Sequence, residues 1–140
     1  MEVRYLDWQG NYEDVLSVLL GLRPSYDLES LKTQIKTQQQ QGYQVVYVSN
    51  DQGVLAVAGF VIGEKLAWGK HIYIDDLVTN TDFRSNGVGA FLMGWFKALA
   101  DEKGCAQIHL DSGVQRFAAH KFYLREGFNI ASHHFSHIKA

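Results

Sequence analysis

Arg84-Ser85-Asn86-Gly87-Val88-Gly89 is a glycine turn set directly before an amphipathic helix. Hydrogen in place of a side chain at Gly87 and Gly89 lets bare backbone N–H groups approach a ligand closely. The start of a helix adds unpaired N–H donors and the positive end of its dipole, which together suit a phosphate or pyrophosphate. Taken alone, the same pattern is also met as a plain strand-to-helix turn.

Downstream of the turn, Val88, Phe91, Leu92, Trp95 and Leu99 recur at helical spacing, and Lys103-Gly104 supplies a glycine C-cap. A short strand follows at 106–110, a helix at 116–126 and a last strand at 128–137. Upstream, 70–79, 54–62 and 43–50 are rich in Val, Ile and Tyr and are separated by turn signals. They predict an antiparallel meander. Before them the apolar positions Val15, Leu16, Leu19 and Leu22 predict a helix stopped by Pro24, and Leu28, Leu31 and Ile35 a second one. Residues 2–6 form a weak first strand. The reading is a single α/β domain over 1–140, with a mixed, mostly antiparallel sheet flanked by helices in the order β-α-α-β-β-β-α-β-α-β.

Bulk properties limit the function. The 140 residues are 46% hydrophobic and carry 7 Tyr and 8 Phe, enough for a folded core. A formal charge of −2 offers no basic field for nucleic acid. No apolar run reaches the length of a membrane span, and Met1 leads into Glu2 and Arg4 rather than a signal sequence. With one cysteine, Cys105, no internal disulfide can form. A cytoplasmic protein is expected.

Better-known phosphate loops do not fit. A Walker A loop needs Gly-Lys-Ser/Thr, but Gly94 is followed by Trp95 and Phe96. The dinucleotide fingerprint has Gly87-x-Gly89 and an acid, Asp111, at the end of the next strand. Leu92 nevertheless stands at its third glycine, and too little chain follows Asp111 for a Rossmann sheet. His133, His134 and His137 lack an acid or cysteine to complete a zinc site, and Asp111-Ser112-Gly113 is not a hydrolase nucleophile elbow.

A second segment carries chemistry: Ala119-His120-Lys121-Phe122-Tyr123-Leu124-Arg125-Glu126-Gly127-Phe128. Ala119, Phe122, Tyr123 and Glu126 share one helical face. Phe122 reads as a core aromatic. The Tyr123 phenol needs a polar partner if partly buried, and it is able to donate a proton to a departing thiolate or alkoxide. Asp75 and Asp76 sit late in the third strand of the meander. Adjacent strand residues face opposite ways, Asp75 with His71 and Tyr73, and Asp76 with Ile72 and Ile74. One of them at most enters a site unless a bulge intervenes, with Asp76 slightly favoured.

Thr79 through Gly89, combined with Ala119 through Phe128 at this separation, resembles the GNAT superfamily of acyl-CoA-dependent N-acetyltransferases. The resemblance covers about residues 70–130 directly. It implies acetyl-CoA as donor and no metal. Backbone groups of Arg84, Ser85, Asn86, Gly87, Val88, Gly89 and Ala90 would hold its pyrophosphate, and Leu77, Val78 and Thr79 its pantetheine arm. Tyr123 would protonate the leaving thiolate, with Asp75 or Asp76 as base. Tyr26, in the 23–26 loop, and Tyr73 would wall the acceptor pocket, beside Asp75. Arg116 stands where many relatives have asparagine, so that cofactor contact is not carried over. The acceptor implied is an amine of a small molecule or protein. The alternative is a CoA-binding sensor or scaffold without turnover. Family members often dimerise, so a homodimer is compatible with the resemblance.

Overall fold

The computed structural model describes residues 1–83 and 87–139. The chain divides into two compact units, Met1–Leu110 and Asp111–Ala140. The first contains β1 (Glu2–Tyr5), α1 (Tyr12–Leu22), α2 (Leu28–Gln39), β2 (Tyr43–Asn50), β3 (Gly53–Lys65), β4 (Gly69–Thr79), α3 (Val88–Lys103) and β5 (Gln107–Leu110). Its five-stranded sheet runs β1-β2-β3-β4-β5. The first three pairings are antiparallel and β4 with β5 is parallel. The helical crossover α3 is what permits that one parallel pair.

Two apolar layers fix the sheet. Val15, Leu16 and Leu19 of α1 and Leu31 and Ile35 of α2 pack with Tyr43, Val45, Tyr47 and Val57 of the sheet. The opposite layer centres on Phe60 and Phe96, both fully buried with ring centroids 5.2 Å apart at 88°. Burying each such side chain contributes about 1.5–3 kcal/mol. The buried stripe of α3 is Val88, Leu92, Met93, Phe96, Leu99 and Ala100. It lies about one residue round from the periodicity read in the sequence, so Phe96 rather than Trp95 is fully enclosed and Phe91 is exposed.

Element ends follow local chemistry. Arg23 caps α1 through its N–H to the Leu19 carbonyl (3.0 Å), and Pro24 comes next. At the start of α2, Asp27 and Ser30 form a reciprocal capping box: the Ser30 N–H donates to Asp27 Oδ1 at 2.8 Å and the Asp27 N–H to Ser30 Oγ at 3.0 Å. Gly104 closes α3 at φ 72°, as expected of a glycine C-cap.

In the second unit, α4 (Phe117–Arg125) ends at Glu126, and Gly127 follows at φ 95°. The strand expected at 128–137 is not formed among the described residues, which hold no strand after Leu110. A strand exists only as half of a ladder, so favourable local sequence without a paired partner leaves it irregular. Ile130, Phe135 and Ile138 are exposed there. Among the described residues no helix is long and apolar enough to cross a membrane.

Candidate active site

The site begins with one extra residue in β4. Gly59 of β3 pairs with Asp76, but Phe60 pairs with Ile74, which leaves Asp75 as the bulged residue without a cross-strand partner. Regular alternation would put Asp76 on the face of Ile74, beside Phe60. The bulge resets the alternation, so Asp75 and Asp76 both line one cleft of about 640 Å³. The two carboxyl groups are therefore not alternatives divided between faces.

The cleft lies between the α1–α2 layer and the sheet. Arg23 and Tyr26 come from the loop after α1, Gln34 and Gln38 from α2, Tyr43 from β2 and Val61 from β3. Arg23 holds the bulge. Its Nε donates to Asp76 Oδ1 at 2.9 Å, Nη2 lies 2.8 Å from the same oxygen as an ion pair, and Nη2 donates to the Asp75 carbonyl at 3.1 Å. The Tyr43 hydroxyl donates to Asp76 Oδ2 at 2.6 Å. Both Asp76 oxygens are thus engaged, and its side chain is only 14% exposed.

Asp75 opens toward the cleft instead. Partial withdrawal from water raises its carboxyl above the usual aspartate range, the Asp76 charge adds to the rise, and Arg23 opposes it. Burial, then the Asp76 charge and the hydrogen bond to it, hold the Tyr43 phenol far above the ordinary tyrosine range. Tyr43 remains a donor at any working pH.

Of the other residues singled out in the sequence, Tyr26 borders the cleft with the two acids. Tyr73 shares the ladder position of Val61 and stacks on Trp68 at 6.1 Å and 7°. It is not among the cleft's lining residues. Trp68 in turn stacks on His109 at 3.5 Å and 8°, making the hairpin end a closed aromatic group.

The ladder between β4 and β5 stops at Ile74 with Leu110, immediately before the bulge. Beyond it, among the described residues, Leu77, Val78 and Thr79 pair only with Ala58, Val57 and Ala56 of β3, so one backbone edge of this stretch faces away from the sheet. An extended ligand can add to such an edge as a further strand. Asn80 pins the end of β4 to β3, its N–H donating to the Leu55 carbonyl at 2.8 Å and its Nδ2 to the Val54 carbonyl at 2.9 Å.

Gly87 begins α3 at φ 81°, a left-handed conformation, and a Cβ there would meet no atom within 4 Å among the described residues. Among the described residues, the first backbone bond at this turn is Phe91 N–H to the Gly87 carbonyl at 2.9 Å. The amides of Val88, Gly89 and Ala90 precede it at the first turn of the helix, where N–H groups point along the helix axis. Arg84, Ser85 and Asn86 lie outside the described residues. The strand edge and the glycine-led start of α3 fit a long, phosphorylated thioester ligand.

In the second unit, Tyr123 sits on α4 with its ring 5.3 Å from Phe122 and 5.9 Å from Phe128. Burial raises its hydroxyl above the ordinary tyrosine range and Arg116 works against the rise. Sequence reasoning missed Tyr43, Gly59 and Asn80. Tyr43 was indistinguishable from a core strand aromatic, because its partner lies two strands away.

A sheet parted beside a glycine-led helix is the framework of a class of small acyl-group transferases. The sequence model of the acetyltransferase (GNAT) family matches residues 8–128, and the chain belongs to that family of acyltransferases. It is 29% identical over 131 residues to an uncharacterised N-acetyltransferase, YhdJ, of Bacillus subtilis (strain 168), a match covering 92% of this chain and 89% of the relative. Over a shorter stretch of 67 residues it is 34% identical to the aminoalkylphosphonate N-acetyltransferase of Salmonella typhimurium (strain LT2), covering 48% of this chain and 42% of that protein. Among solved structures it resembles AAC(6')-Iy in complex with the bisubstrate analogue CoA-S-monomethyl-acetylneamine, with a TM-score of 0.81, 15% identity, and coverage of 99% of this chain and 97% of the other. At that identity the likeness speaks for the fold.

Proposed function

We propose that this chain transfers an acetyl group from acetyl-CoA to the primary amine of a small molecule, by direct attack within a ternary complex. The observation that carries the reading is the Asp75–Asp76 pair in a cleft of about 640 Å³, placed where β4 parts from β5. That volume suits a small acceptor, and the acidic pair suits a cationic one. By name, one relative is an N-acetyltransferase of an aminoalkylphosphonate and the structural neighbour AAC(6')-Iy one of an aminoglycoside.

Bound acetyl-CoA supplies an activated thioester carbonyl. The residues of the chain do the rest. Leu77, Val78 and Thr79 offer the backbone edge that holds an extended arm. Gly87, Val88, Gly89 and Ala90 offer the amides for a pyrophosphate, with Arg84, Ser85 and Asn86 joining them by family likeness. An arriving ammonium is drawn by the acidic pair and must give up a proton before its nitrogen has a lone pair to attack with. Tyr123, by the same likeness, returns a proton to the departing sulfur. The family match spans both compact units, which supports treating 1–140 as one catalytic domain. Free, buried Cys105 suits the reducing cytoplasm we assign to it.

The test is thiol release from acetyl-CoA over a panel of small amines, with wild type and Tyr123→Phe. Amine-dependent release that falls in the variant supports the reading. Tight acetyl-CoA binding with no release on any amine replaces it with a CoA-binding sensor.

A further inference from the structure

We propose that Asp75 receives the proton of the acceptor ammonium, while Asp76 is a positioning anion held by Tyr43 and Arg23, in an arrangement that the missing side chain of Gly59 makes possible. This rests on the acetyltransferase reading above and assigns separate tasks to the two acids.

The geometry divides them. Asp76 accepts from the Arg23 guanidinium on Oδ1 and from the Tyr43 hydroxyl on Oδ2. Taking up a proton there would cost one of two charge-assisted or short hydrogen bonds. Among the described residues the Asp75 carboxyl takes no such clamp; its backbone carbonyl, rather than its side chain, receives Arg23 Nη2. As the bulged residue it has no cross-strand partner, and its exposed side chain borders the cleft. A proton that moves from the ammonium nitrogen to an Asp75 oxygen leaves a neutral amine and a neutral carboxylic acid. The open cleft then returns that proton to water.

Tyr43 reaches Asp76 only because residue 59 is glycine. Tyr43 pairs with Val61 and Gly59 pairs with Asp76, so the phenol crosses β3 to arrive at β4. A Cβ on Gly59 would overlap the Tyr43 hydroxyl and the ring carbon that bears it. Arg23 fixes the other oxygen from the end of α1. Among the described residues, the charged and titratable groups facing Asp75 are Asp76 on its own strand, Arg23 and Tyr26 after α1, and Tyr43 on β2; α2 presents the neutral Gln34 and Gln38. Within this set the Asp76 charge disfavours a second anion, and so favours proton uptake on Asp75.

The experiment is the pH dependence of kcat/KM for amine acetylation, together with a 13C carboxyl titration of the substrate-free protein. Asp75→Asn should lower kcat about 100-fold or more at neutral pH and flatten the acid limb. Asp76→Asn should keep an acid limb and move it to lower pH, because the neighbouring like charge is gone. Tyr43→Phe should move the limb the other way, since the Asp76 charge loses a donor and repels Asp75 more strongly. An Asp76→Asn enzyme without an acid limb, beside an Asp75→Asn enzyme that keeps one, overturns the assignment. In the titration, Asp75 should lie above the ordinary aspartate range and fall in Asp76→Asn; a value at or below that range also overturns it. Thiol release absent on every amine would strike the acetyltransferase reading itself, whereas the carboxyl titration judges the division of the two acids without substrate.

Discussion

The Tyr43 hydroxyl lies 2.6 Å from Asp76 Oδ2, with Gly59 directly beneath its path across the sheet. Phenol, glycine and carboxylate form one unit although they belong to three strands. A methyl group at residue 59 has no room, so Gly59→Ala should destabilise the fold by about 1–3 kcal/mol, as overpacking does. Shortening the intruding ring removes the conflict. In a Tyr43→Leu background the same Gly59→Ala change should cost little, and urea unfolding of the four proteins in this cycle measures the difference. Additive losses would mean that the Gly59 effect arises elsewhere.

That relationship also marks where the sequence stopped being informative. The helix ends at Pro24 and Gly104, the meander and the crossover helix were all legible, because each rests on local punctuation or period. The bulge was allowed for but its place at Asp75 was not legible in the residues, since it is defined by counting residues on two strands at once. Alternation applied to β4 alone therefore divided Asp75 from Asp76, and the fold puts them in one cleft. The irregular 128–139 segment has the same cause: strand propensity is local, while a ladder partner is not.

Gly87 tests the phosphate-binding end. At φ 81° any side chain is strained, by about 1–2 kcal/mol for ordinary residues and less for asparagine. Gly87→Asn should thus stay close to wild type in thermal stability while placing a side chain before the α3 amides, where a Cβ meets no atom of the described residues within 4 Å. Acetyl-CoA affinity measured by calorimetry should fall tenfold or more. Unchanged affinity in a folded Gly87→Asn protein would remove the pyrophosphate from this turn.

For Tyr123 the pH argument has a definite sign. Burial raises its hydroxyl above the ordinary value, so the proton is present throughout the neutral and mildly alkaline range and lost only above about pH 10. Activity that depends on it should hold on the alkaline side to beyond that point. Tyr123→Phe should lower kcat by about 100-fold, within the range for a lost general acid, with acetyl-CoA affinity unchanged. A variant with full kcat would relieve Tyr123 of the proton transfer, leaving water to supply it.

The capping box at Asp27 governs α2, the helix that brings Gln34 and Gln38 to the cleft. Hydrogen bonds from the Ser30 backbone, then from its side chain, lower the Asp27 carboxyl below its ordinary value. The folded state therefore prefers the carboxylate. Its stabilisation is complete above the unfolded value of about 3.9 and is lost as pH falls through the lower folded value. Asp27→Ala should melt at a lower temperature than wild type at pH 7, and the gap should shrink as the pH drops below about 3.9. Asp27→Asn keeps an accepting oxygen without the titration, so its smaller deficit should change less over the same range. Calorimetric melting of the three proteins between neutral and acid pH measures this. A deficit in Asp27→Ala that stays constant with pH would assign the loss to helix propensity rather than to the capping carboxylate.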